Sequence, residues 1–187
     1  MTGRCVIKIG GSLLTRPDLA IRIREVLNNE YANQQVNLVI GGGKIIDALR
    51  ELDSVHVLFP IEMHWRCVRA LRLTYEIAGD LFPDAHRIEC PEAFQAHRTS
   101  QTHGIYLIAV DSFYSLSDGD ILPRDWTTTT DSIAAMLAHK LSINRLTLIK
   151  PCSTAETMTI AEAVTAGIVD VAMPTIARGL QIKLQSL

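Results

Sequence analysis

Nothing in this sequence supplies the basic excess of a general nucleic-acid binder. The 187 residues carry 18 Lys and Arg against 20 Asp and Glu, a formal net charge of −2. No run approaches the roughly 18 consecutive apolar residues of a membrane span, so no membrane partner is expected. The apolar run at the N-terminus, Cys5–Ile9, is too short for a secretory signal, and the expected location is the cytoplasm. Paired cysteines are missing as well. Cys5, Cys67, Cys90 and Cys152 are scattered without a C-x-x-C spacing, and in a reducing compartment they read as small apolar residues. The six histidines show no H-E-x-x-H spacing, so no metal-ligating set is expected. Internal repeats, low-complexity tracts and linkers are also lacking. With 48% hydrophobic residues, residues 1–187 are expected to form a single domain with its own core.

What the sequence does have is alternation. Compact apolar runs at Arg4–Ile9, Asn37–Ile40, Gly104–Val110 and Arg145–Ile149 read as strands buried on both faces, as in a parallel or mixed central sheet. Helical patterns lie between them. Pro17 can take the first helical position ahead of Leu19–Leu27. Ile45–Leu52 follows a triple glycine. Glu62–Ala78 has apolar residues at helical spacing, with Gly79 as a stop. Asp131–Leu141 is alanine-rich, and Thr159 with Glu162 forms a capping box. Residues 111–130 break the pattern and read as a loop or small hairpin. The alternation implies a layered α/β fold.

Two glycine turns follow buried strands: Lys8-Ile9-Gly10-Gly11-Ser12 and Gly41-Gly42-Gly43-Lys44. Strand, glycine turn and helix together bring backbone N–H groups up to a phosphate. Two such turns suggest two anionic groups held near each other, which suits phosphoryl transfer. Lys8 could set its ammonium over the phosphate, with Gly10, Gly11 and the Ser12 hydroxyl donating to it. A tight connection with a solvated lysine is the plainer alternative. Neither a Walker A loop nor G-x-G-x-x-G is present. The triple glycine costs about 0.5–1 kcal/mol per residue relative to alanine. Close approach of a ligand would offset that, as would a turn needing positive φ.

Other candidates each carry two readings. Asp47 is a helix-start charge or a ligand contact. Asp131 satisfies a helix amino end or orients a lysine across the site. Lys150 ends a buried strand, where open α/β sheets place ligands, or is a surface lysine. Arg66, Arg69 and Arg72 recur every third residue, with His64 near the helix start. They form a solvated basic face or a clamp for an anionic substrate. Trp65 and Trp126 read as core or site-wall residues.

Taken together, these residues resemble the amino acid kinase family. Its landmarks are K-x-G-G-S on the first strand, G-G-G after the second, and a helix opening Thr130-Asp131-Ser132-Ile133-Ala134-Ala135; the match runs from Arg4 through Lys150. The resemblance implies a three-layer αβα sandwich around a mostly parallel central sheet. It also implies transfer of the γ-phosphoryl of ATP to a small carboxylate, carbamate or phosphate, with Mg2+ bound mainly by the phosphates, and a homo-oligomer.

By the same resemblance Lys8 stabilises the moving phosphoryl group, and Gly10, Gly11 and Ser12 hold phosphates. Gly42 and Gly43, with Gly41, face the acceptor, and Asp131 holds the catalytic lysine. Lys150 stands where many members have an aspartate, and is a candidate for the lysine they carry later in the chain. Leu122-Pro123-Arg124-Asp125-Trp126 and Leu148-Ile149-Lys150 are similar to a short subgroup acting on (aminomethyl)furanylmethyl phosphate in methanofuran-linked C1 metabolism. A phosphate acceptor of that kind fits the arginine face. A non-catalytic nucleotide- or anion-binding module, or a uridylate-kinase-like enzyme, is the alternative.

Overall fold

The structure, a computed structural model, describes residues 3–119, 121–152 and 158–187. In chain order the elements are β1 (Arg4–Ile9), α1 (Leu19–Glu30), β2 (Gln35–Ile40), α2 (Gly43–His56), α3 (Pro60–Leu81), β3 (His86–Ile88), α4 (Pro91–Arg98), β4 (Gly104–Ile108), α5 (Thr130–Lys140), β5 (Arg145–Lys150), α6 (Ile160–Thr165), α7 (Met173–Ile176) and β6 (Gln181–Ser186). The strands form one sheet in the order β3-β4-β2-β1-β5-β6, and every pairing is parallel.

Side-chain alternation along these strands makes three layers. Cys5, Ile7 and Ile9 of β1 enter one core with Leu38 of β2 and Leu107 of β4, beneath Ile23 and Leu27 of α1. Val6, Val39, Ile108 and Leu148 face the opposite way, against Val68 and Leu71 of α3 and Ile133 and Leu137 of α5. A sheet covered on both faces explains why its central strands read as apolar runs and not as alternation. No helix among the described residues is long and apolar enough to cross a membrane.

The structure departs from the sequence reading at several points. Pro17 lies ahead of α1, whose N-cap is Asp18. Gly79 does not stop α3, which runs on to Leu81. A Cβ at Gly79 would lie 2.7 Å from the guanidinium carbon of Arg87, so this glycine makes room for a side chain. The strand at Gly104 ends at Ile108, and Val110 already belongs to a 3-10 turn. The strands β3 and β6 and the helix α4 were not anticipated. Among the described residues, 111–129 holds 3-10 turns and loop but no strand.

Candidate active site

Pairing between β1 and β5 sets Lys8 opposite Leu148. Lys150 is two residues further along β5, so both lysines project from the same face at the carboxyl ends of adjacent strands. The helix α5 packs on that face with its amino end over those strand ends, bringing Asp131 between them. Lys8 Nζ lies 2.8 Å from Asp131 Oδ1, and Lys150 Nζ lies 2.6 Å from Asp131 Oδ2. All three side chains are buried. Two ammonium groups share one carboxylate, so this trio keeps one positive charge in excess, on a wall of the central cavity.

The local fields follow from this packing. Burial pushes the Asp131 carboxyl up, but the two ammoniums together bring it below its ordinary value. Burial and the neighbouring Lys8 ammonium lower Lys150, against the opposing pull of Asp131.

The two glycine turns touch each other. A Cβ on Gly11 would fall 2.1 Å from the Gly43 nitrogen, and one on Gly41 would fall 2.6 Å from the Gly11 nitrogen. Gly43 has φ +52°, in the left-handed region. Backbone-to-backbone contact, which no side chain permits, therefore brings the turns after β1 and β2 side by side. The Gly10 N–H donates to the Ile149 carbonyl and the Gly41 N–H to the Ile9 carbonyl, both at 2.9 Å. These two amides extend the sheet, and Gly10 does not line the cavity. The helix α2 begins at Gly43, and its first-turn N–H groups have no partner within the helix. Gly11, Ser12, Gly41, Gly42 and Gly43 all line the cavity.

That cavity has a volume of about 330 Å³. Its aliphatic wall comes from Ile46, Val68, Leu71 and Ile133. Asp47, Arg50 and Trp126 also line it. The Arg50 guanidinium lies 4.7 Å from the Trp126 ring centre and 3.3 Å from Asp47. The Trp126 indole N–H donates to Asp53 at 2.6 Å. Among the described residues, no group of three or more His, Cys, Asp or Glu is placed to hold a metal ion.

The arginine face of α3 lies elsewhere. Arg66 is 3.8 Å from Glu62, Arg69 is exposed, and neither lines the cavity. Arg72 pairs with Asp111 at 2.7 Å and donates to the Glu89 carbonyl. The physical reason is helical phase. His64, Val68 and Leu71 occupy the buried stripe of α3, which turns the arginines away. The cavity takes its arginine, Arg50, from α2 instead. His64 does line the cavity, but its Nε2 is 2.9 Å from the Tyr114 hydroxyl. Burial lowers its pKa, opposed by a hydrogen bond to the Asp125 backbone. It is a wall residue with its polar atoms engaged by the protein. Lys183, on β6, is bound to Glu30, away from the cavity.

Two charged residues of the cavity, Arg50 and Asp170, are not among the candidates the sequence offers. The position of Arg50 one turn beyond Asp47 was the available signal. For Asp170 the neighbouring residues offered none.

The model of the amino acid kinase family matches residues 3–151 of this chain. No curated protein matches it. Among solved structures, a UMP kinase from Ureaplasma parvum superposes with a TM-score of 0.68 at 14% identity, covering 100% of this chain and 91% of that one. A uridylate kinase from Archaeoglobus fulgidus gives 0.64 at 17% identity, covering 98% and 91%. A UMP kinase from Bacillus anthracis gives 0.67 at 15% identity, covering 98% and 86%. At such identities the likeness is one of fold.

Proposed function

The chain belongs to the amino acid kinase family, and we propose that it moves the γ-phosphoryl group of ATP onto a small phosphorylated metabolite. The observation that carries this reading is the buried trio Lys8–Asp131–Lys150 beside the amino end of α2. A net positive charge next to N–H groups that have no partner within their own helix matches the chemistry of a transferring phosphoryl group. ATP supplies the phosphoryl group, and Mg2+ is carried mainly by its phosphates.

In this reading, Lys8 and Lys150 stabilise the charge that develops on the equatorial oxygens. Asp131 fixes both ammoniums and takes no proton. Gly11, Ser12, Gly42 and Gly43 contribute donors from the paired turns. The acceptor phosphate lies toward Arg50, with Asp47 and Trp126 bounding the rest of the acceptor. The resemblance to the short subgroup makes (aminomethyl)furanylmethyl phosphate the first acceptor to try. Its phosphate suits Arg50, its ring the Trp126 wall, and its ammonium Asp47. The names of the three structural neighbours favour UMP as the second.

The test is ADP release from ATP and Mg2+ with each acceptor in turn. Acceptor-dependent ADP with the furanyl phosphate supports the first reading, and with UMP the second. Silence with both would contradict the acceptor class.

We also propose that the protein acts in the cytoplasm as a single catalytic domain. It would assemble with copies of itself through α3, where Ile61, Leu73 and Ile77 are exposed. A monomer mass in light scattering would overturn the assembly.

A further inference from the structure

Asp170 is buried, and its carboxylate is engaged by four donors. Oδ2 accepts the Thr129 N–H at 2.8 Å, the Thr129 hydroxyl at 2.8 Å and the Ser132 N–H at 3.1 Å. Oδ1 accepts the Ser132 hydroxyl. These donors lie on both sides of Asp131 in the chain. The Thr129 hydroxyl oxygen in turn accepts the Asp131 N–H at 3.3 Å. Two residues beyond Asp170, the Ala172 N–H donates to the Thr127 carbonyl at 3.1 Å, tying the same segment to the loop that leads into α5. An anion at the amino end of a helix is favoured by the helix dipole. In α5 an internal carboxylate takes that place, which leaves external phosphate to the amino end of α2.

We propose that Asp170 is a positioning residue for phosphoryl transfer. By fixing the first turn of α5 on either side of Asp131, it keeps that carboxylate between the ammoniums of Lys8 and Lys150. The proposal rests on the phosphotransferase reading above. Asp170 also lines the cavity, and its charge favours the ammonium form of Lys150.

The test compares Asp170→Asn with Ser132→Ala, which removes one donor and keeps the carboxylate. In ADP-release assays D170N is expected to lose about 10²-fold in kcat, with KM for ATP and acceptor within about twofold of wild type. Titration of the Lys150 ε-methylene by NMR should give a lower midpoint in D170N than in wild type, and an unmoved one in S132A. A wild-type kcat in D170N, or a loss confined to KM, would overturn the proposal. Should D170N fail to fold, S132A decides: reduced kcat at constant KM supports the role, and wild-type kcat overturns it. Should the wild type transfer to neither acceptor, the phosphotransferase reading fails on its own. The Lys150 titration in D170N then still decides, and an unchanged midpoint refutes the positioning role.

Discussion

Lys8 and Lys150, on adjacent parallel strands, are tied to opposite oxygens of a single carboxylate. Each lies within 3 Å of Asp131, and neither lysine is close to Asp131 in sequence. Removing that carboxylate leaves two buried ammoniums facing each other. Asp131→Asn is therefore expected to destabilise the fold by on the order of 3–5 kcal/mol. Urea unfolding followed by circular dichroism measures it, and a loss under about 1 kcal/mol would mean that the pair is effectively solvated.

The same trio sets a pH dependence with one sign. The carboxyl of Asp131 is held below its ordinary value. Its contribution to stability is complete above the unfolded value of about 4 and is lost as pH falls through the folded value. Lys150 is also lowered. Its burial costs stability while it is protonated, and that cost is relieved as pH rises from the folded value to the unfolded value of about 10.4. Stability should thus rise with pH in both windows. Lys150→Met should flatten the alkaline rise and also make the acid limb shallower, because Lys150 is one of the two ammoniums that hold the Asp131 carboxyl down, as urea midpoints across the two ranges would show.

Gly11 has no room for a methyl group, since its Cβ would meet the backbone of Gly41 and Gly43. Gly11→Ala should cost about 3 kcal/mol or more and separate the two turns. Gly119, whose Cβ would meet nothing within 4 Å, is the control. Its backbone at φ 64°, ψ −149° lies in a region that glycine alone adopts readily, which leaves a conformational cost of about 1–3 kcal/mol and no steric one. Equal melting temperatures for the two variants would contradict the interlocked turns.

Arg50→Ala should raise the acceptor KM by about tenfold, the value of one charge-assisted contact, with a smaller change in kcat. Arg66→Ala and Arg69→Ala should leave both constants within about twofold, because neither side chain reaches the cavity. Steady-state kinetics on the three variants separates these outcomes.

The parts of this site that were legible in the sequence are those with strong local chemistry. Lys8, the glycine turns and Lys150 sit at the ends of continuous apolar runs. Asp131 opens an alanine-rich helix, and Thr159 caps α6 as its spacing with Glu162 indicated. Elements with weak local signals were not legible. The strand β3 has three residues, two of them exposed, and β6 is a largely polar edge strand. The arginine triplet misled because spacing fixes that residues share a helix face, whereas burial of His64, Val68 and Leu71 fixes which face turns inward. Asp170 was out of reach because its partners lie 38 to 41 residues away, and only the fold brings them together.

The central claim is that the Lys8 ammonium stabilises the phosphoryl group in flight. Its most direct test is acceptor-dependent ADP release by Lys8→Ala, with circular dichroism confirming the fold. The account predicts a fall in kcat on the order of 10²–10³-fold in a protein that remains folded. Turnover at the wild-type rate would contradict it.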